Sequence, residues 1–306
     1  MFVPSNLHSV LSLRRVGDPD HDATPDPKHI EAKVFVAFHI IGGLGNLLML
    51  ITALVSRRVN RHVTWINFCV TWLIFAISYT LLFYAGRQFS EEEPSFPLCL
   101  TQAGLIYGAP VLGACSTLSL VIQIWLSLRR IMQKDVQGEK PHGRESSLLT
   151  ILLVLLPYVA WFGTVLGALV VGLHDTSKVM RTNSSVYCVI WTGVPGRVSA
   201  GIVAVILATA IIFQGLIAAL LYRSWGAYQK LRRMDKNTLS ISMVVRMGCF
   251  LVLNIITVSQ IVVFLAQKTV IANIWISLTP IAAVAVFATQ RDILRVWTFR
   301  KSPEYY

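Results

Sequence analysis

The chain has 306 residues, 55% of them hydrophobic and only 14% charged, with a formal net charge of +12 and five cysteines. A soluble domain carries about 25% charged residues, so this composition excludes a cytosolic enzyme, a disordered chain and a small secreted fold built on disulfides. It indicates an integral membrane protein, and the apolar runs along the chain predict an all-α fold: a seven-transmembrane helix bundle with a short amphipathic eighth helix.

Residues 1–33 carry Arg14, Arg15, four aspartates and, among them, Pro19, Pro25 and Pro27, with no long apolar core. They read as a polar, partly disordered N-terminal tail rather than a secretory signal. A bilayer core of about 30 Å takes roughly 20 apolar residues of helix. Seven stretches meet this: Val34–Ser56, Val63–Gly86, Pro94–Leu128 (its helix placed from about Leu98), Ser146–Thr176, Val198–Tyr222, Met247–Gln267 and Thr269–Gln290. Each is continuously apolar rather than alternating, which argues helix over barrel strand. Only Lys268 separates the sixth from the seventh, so their turn must borrow flanking residues. The transmembrane domain is thus expected over 34–290. In the remaining segment, 291–306, apolar residues at 293, 294, 296 and 297 oppose charges at 291, 292 and 295, as in a helix lying along an interface.

Seven crossings place the termini on opposite sides, and charge selects the orientation. With the N-terminus outside, two thirds of the 27 Lys and Arg fall on the inner segments, and the whole charge of +12 lies on that side. An excess of Lys and Arg marks the cytoplasmic face. The expected location is therefore the plasma membrane, with an extracellular N-terminus. Split among four short segments beside apolar spans, these charges suit lipid head groups and topology rather than nucleic acid. Arg129, Arg130, Arg232, Arg233 and Arg246 could also form a surface for a cytoplasmic partner.

Asn183-Ser184-Ser185 is an N-glycosylation triplet in the second outer loop. Cys99, at the outer start of the third span, and Cys188, in the same loop as Asn183, can form a bridge in an oxidising compartment; two free thiols are the alternative. Cys69, Cys115 and Cys249 lie within spans and read as small buried apolar residues.

These features together resemble the G protein-coupled receptor superfamily over residues 34 to about 299. Stretches such as His62-Val63-Thr64-Trp65-Ile66-Asn67-Phe68 and Leu98-Cys99-Leu100-Thr101-Gln102 look like seven-helix proteins of mushroom-forming fungi. Gly45-Asn46 matches the Gly-Asn pair of rhodopsin-like receptors, and Thr279-Pro280 is similar to the proline site of their seventh helix, which gives Asn46 and Pro280 structural roles. The chain departs from that pattern where Gln123-Ile124-Trp125 replaces the Asp-Arg-Tyr triplet, where the second span lacks a central Asp, and where the sixth lacks Cys-Trp-x-Pro. The resemblance implies an extracellular small-molecule ligand and a heterotrimeric G protein as partner.

No Asp or Glu is expected inside any span, which argues against pumping and ion-coupled transport. No cofactor is expected: Lys268 lies at the end of the seventh span, too shallow for a retinal Schiff base, and no metal-ligand or Gly-x-Ser-x-Gly spacing occurs. Asn46, Asn67, Gln214 and Asn254 are read as hydrogen bonds between helices. Gln102 and Gln260 are equally suited to such bonds or to a ligand. Gln102, Ile106, Tyr107 and Pro110 should line a cavity in the outer half of the third helix, with Gln260, Asn273 and Trp275 as further walls, although aromatic residues there also suit the interfacial belt. With no charge deep in this region, a neutral or lipid-like ligand fits best, and Arg197 is the one candidate for an anionic group. A receptor is the first expectation; a seven-helix transporter or lipid-handling protein without G-protein coupling is the alternative.

Overall fold

A computed structural model describes residues 27–56, 61–90, 92–137, 143–182, 186–223, 241–265 and 269–298. Among the described residues the fold is all-α apart from one small hairpin. Its helices are α1 (Pro27–Val55), α2 (Val63–Tyr79), α3 (Leu81–Tyr84), α4 (Phe96–Gln137), α5 (Gly143–His174), α6 (Val194–Arg223), α7 (Ile241–Leu265), α8 (Thr269–Ala288) and α9 (Arg291–Trp297). Four of them hold segments long and apolar enough to cross a membrane: Ile30–Val55, Phe96–Arg130, Ser147–His174 and Val194–Arg223. Shorter apolar helical stretches cover Val63–Tyr79, Gly248–Ile261 and Asn273–Ala288. Between α5 and α6 a single 3-10 turn (Thr176–Lys178) leads into strands β1 (Val179–Arg181) and β2 (Cys188–Ile190). The strands pair antiparallel, with Arg181 opposite Cys188.

Several boundaries differ from those the apolar runs predict. Helix α1 starts at Pro27 rather than Val34, which brings Glu31 into the apolar segment that was expected to hold no carboxylate. Pro at the first helical position has the right φ and no N–H to leave unpaired, so the helix starts there although the residues that follow are polar. The second run breaks at Thr80, whose hydroxyl donates to Ala76 O at 2.7 Å and whose N–H bonds to both Ala76 O and Ile77 O. Helix α4 runs on past Leu128 to Gln137. His62 caps α2, its ring Nδ1 accepting from Thr64 N at 3.3 Å.

Helix α4 is the centre of the packing, touching α2, α5, α6 and both strands, while α1 lies between α2 and α8, and α7 rests on α6 and α8. Between apolar helices in lipid, close approach depends on small residues. A Cβ at Gly42 of α1 would lie 2.5 Å from Pro280 Cβ of α8, and one at Gly45 would lie 2.7 Å from Val284 Cγ2. Amides tie the same helices together. Asn46 Nδ2 donates to Gly42 O at 2.8 Å and across to Pro280 O at 3.3 Å. Asn67 donates to Val154 O at 3.4 Å and accepts from the Tyr158 hydroxyl at 2.7 Å. Asn254 donates to Gln214 Oε1 at 3.3 Å. The far side of α5 exposes Leu152, Leu155, Val159, Phe162 and Val170, an apolar surface suited to lipid. Cys249, expected to be buried, is exposed: it stands on the face of α7 turned away from the neighbouring helices.

Candidate functional site

The hairpin lies against α4 and is bonded to the helices through Tyr187, Cys188 and Ile190. Cys188 forms a disulfide with Cys99 near the start of α4. One turn along α4, Gln102 is fully buried; its Oε1 accepts from Cys188 N at 3.0 Å and its Nε2 donates to Tyr79 O at 3.4 Å. A further turn down, the Tyr107 hydroxyl accepts from Ile190 N at 3.1 Å. An edge strand needs partners for its outward N–H groups, and α4 supplies them for Cys188 and Ile190 from Gln102 and Tyr107, while Cys99 supplies the bridge. Gln88 Nε2 donates to Val186 O at 2.9 Å. Arg181 Nη1 donates to Ser90 O at 3.0 Å, and Arg87 in turn pairs with Glu92.

Tyr187, just before β2, reaches furthest into the bundle. Its hydroxyl donates to Asn273 Oδ1 of α8 at 2.7 Å, and Asn273 Nδ2 donates to Glu31 Oε1 of α1 at 3.0 Å. Burial pushes the Tyr187 phenol well above its ordinary range, with Tyr107 and the Glu31 carboxylate adding to the rise, so it stays a neutral donor. Below it stands an aromatic cluster of Phe35 and His39 from α1 and Phe75 and Tyr79 from α2. The Tyr187 ring lies 5.8 Å from Phe35 and 5.9 Å from Tyr79, and Phe35 and Tyr79 are themselves 5.9 Å apart. Rings this close fill the space between them. At the entry to the hairpin, hydrogen bonds from Lys178 and the Ser177 hydroxyl hold the Asp175 carboxyl below the usual carboxylate range.

Pro110 sits inside α4. It has no N–H for Ile106 O, and its ring crowds that turn. Side chains from two other helices meet the loosened carbonyls: the Tyr79 hydroxyl of α2 donates to Ile106 O at 3.3 Å, and the Ser199 hydroxyl of α6 donates to Tyr107 O at 2.6 Å.

The residues expected to line a cavity therefore divide. Gln102, Ile106, Tyr107 and Asn273 do come together at the hairpin end, with Pro110 a turn beyond Ile106 along α4, but Gln102, Tyr107 and Asn273 spend their polar groups on the hairpin, on Tyr79 O and on Glu31. Gln260 is half-buried on α7. Trp275 is 40% exposed beside the equally exposed Ile274 and faces outward, as does Arg197. Glu31, Gln88, Tyr187 and Ser199 belong to the constellation and were not singled out from the sequence. Tyr187 alone had a signal, since a residue beside a bridged cysteine is held over the helix that carries the other half.

At the opposite end, Arg129 and Arg130 are exposed. The Arg129 guanidinium lies 5.3 Å from the centre of the Trp125 ring, and that of Arg61 lies 5.5 Å from Trp65. The Gln123 amide lies 3.1 Å from His62 Nε2, which carries the ring proton because Nδ1 accepts from Thr64 N, and the contact joins α4 to the start of α2. Burial, with a smaller contribution from Arg130, lowers the His62 pKa below the usual histidine range. Asn183, Arg232, Arg233 and the side chain of Arg246 lie outside the described residues.

No protein-family model matches the chain, and no curated protein matches it.

Proposed function

We propose that the chain crosses the plasma membrane seven times, with the hairpin end outside and the arginine-rich end in the cytosol. On this reading it is a receptor-like protein of the G protein-coupled kind: it senses a neutral or lipid-like small molecule at the hairpin end and signals to a heterotrimeric G protein. Three apolar helical stretches besides the four long ones supply the count of seven. The distribution of Lys and Arg supports the orientation, and Asn183 would then carry a glycan.

One observation supports sensing above others: the hairpin is joined by direct hydrogen bonds to Gln88 in the loop after α3, to α4 and to α8, and through Asn273 to α1. A molecule that displaces the hairpin acts on several helices at once. It can shift an equilibrium between two arrangements only by binding one of them more tightly. The apolar and aromatic character of the enclosed rings favours a neutral ligand. Glu31, the carboxylate linked to these rings through Asn273 and Tyr187, already accepts from Asn273.

The deciding experiment is GTP exchange on a G protein co-reconstituted with the full chain, run across a broad panel of neutral and lipid-like molecules. Ligand-dependent exchange is expected. Solute passage across proteoliposomes with no exchange for any ligand would favour the transporter alternative.

A further inference from the structure

We propose that α4 is jointed at Pro110 and that the Tyr79 hydroxyl is a two-position latch on that joint, seated on Ile106 O in the structure described here and on His39 Nε2 when released.

The helix is anchored as two separate bodies. Above the proline, Cys99, Gln102 and Tyr107 are fixed to the hairpin by the disulfide and two hydrogen bonds. Below it, Ser116 accepts from the Thr71 hydroxyl at 2.8 Å, and Gln123 is bonded to His62. Between the two bodies the proline deletes one rung of the helical ladder. Bonds from other helices take its place, and the two differ. Ser199 holds Tyr107 O at 2.6 Å, whereas Tyr79 holds Ile106 O at 3.3 Å, beyond the usual O–H···O range. Tyr79 is thus the weaker of the two and the first to give.

Its second seat is next to it. His39 is buried, its ring centre 5.0 Å from that of Tyr79. His39 Nδ1 lies 2.9 Å from Phe35 O. A carbonyl can only accept, so Nδ1 carries the proton, and in the neutral ring Nε2 presents a lone pair. That lone pair has no hydrogen-bond partner among the described residues. A buried acceptor without a donor is costly, which makes it an acceptor waiting for a nearby hydroxyl. The Tyr79 ring also stands edge-on to Tyr187 of the hairpin segment, 5.9 Å away. Movement of the hairpin therefore reaches the latch directly, and the device needs no particular ligand or partner.

The test uses the full chain in lipid nanodiscs. Amide hydrogen exchange is compared for wild type, Tyr79→Phe, Pro110→Ala and the double variant. Removing the hydroxyl should speed exchange about fivefold around residues 106–113, as expected for the loss of one hydrogen bond worth about 1 kcal/mol, while the amides beyond Ser116 stay unchanged. In the Pro110→Ala background the restored N–H serves Ile106 O, and the same substitution should change exchange there less than about twofold. His39→Leu, which removes the second seat, should slow exchange below wild type. An equal effect of Tyr79→Phe in both backgrounds, or an effect spread along the whole of α4, would overturn the latch. Should Pro110→Ala not fold, nitroxide labels at Met180→Cys and Arg129→Cys in a Cys249→Ser background decide the matter. Their distance distribution must broaden with Tyr79→Phe; an unchanged distribution overturns the joint.

Discussion

Proline inside an apolar helix leaves carbonyls that lipid cannot satisfy, and in this protein other groups meet them. Tyr79 and Ser199 serve the turn above Pro110. Asn67 bonds to Val154 O, next to the Leu153 carbonyl whose helical donor Pro157 removes. The Thr279 hydroxyl donates to Ile276 O at 2.7 Å, which Pro280 has deprived of its helical donor, while Asn46 takes Pro280 O itself. The last of these depends on α1 and α8 lying close enough for Gly42 to face Pro280. Gly42→Ala should therefore destabilise the protein by about 1–3 kcal/mol, the usual cost of overpacking. Gly163→Ala on α5, where an added Cβ meets nothing within 4 Å, should be neutral or slightly stabilising. Thermal unfolding in detergent separates them, and equal melting points for the two variants would contradict the close α1–α8 contact. Gln102 gives a second prediction at this scale. Gln102→Ala leaves Cys188 N and Tyr79 O without partners and should cost about 1–3 kcal/mol, visible as a lowered melting point with the disulfide still formed.

Among the elements, the hairpin and the cap of α2 carry the clearest consequences. The bridge closes a loop with a sequence separation of 89 residues, and a crosslink typically contributes about 2–4 kcal/mol, more for longer loops. Cys99→Ser and Cys188→Ser should lower the melting point equally, and the double variant should be no worse than either. Additive losses would show that the sulfurs contribute separately. The cap of α2 gives a pH dependence. The folded-state pKa of His62 lies below its unfolded value because of burial and Arg130. Its contribution is present above about pH 6.5, the ordinary histidine value, and is lost as pH falls through the folded value, because the unfolded state takes up the proton first. Wild type should lose more melting temperature between pH 7.5 and 5.5 than His62→Gln does. An identical pH profile for the two would remove His62 as the titrating group.

For the whole molecule, the two ends are chemically unlike. One carries the bridged hairpin over buried rings, and the other carries Arg61 and Arg129 beside tryptophan rings. The orientation predicts that an epitope tag at the N-terminus is reached by antibody on intact cells and one at the C-terminus only after permeabilisation. Two tags reached from the same side would refute the odd number of crossings.

The apolar runs alone determined that the chain is helical and membrane-embedded, because lipid demands long continuous apolar segments and closed backbone hydrogen bonding. Cys99 and Cys188 were legible as a pair because only one loop offered a second cysteine on the same side. Glu31 was not legible as part of the site, since nothing in the local sequence shows that α1 begins early enough to carry it to Asn273. Nor was the outward position of Trp275 and Cys249, because a run apolar all round does not reveal which face meets lipid. Tertiary structure decided which polar group serves which loosened carbonyl and where Tyr187 comes to rest: those partners lie far apart in sequence, and only helix packing brings them within bonding distance.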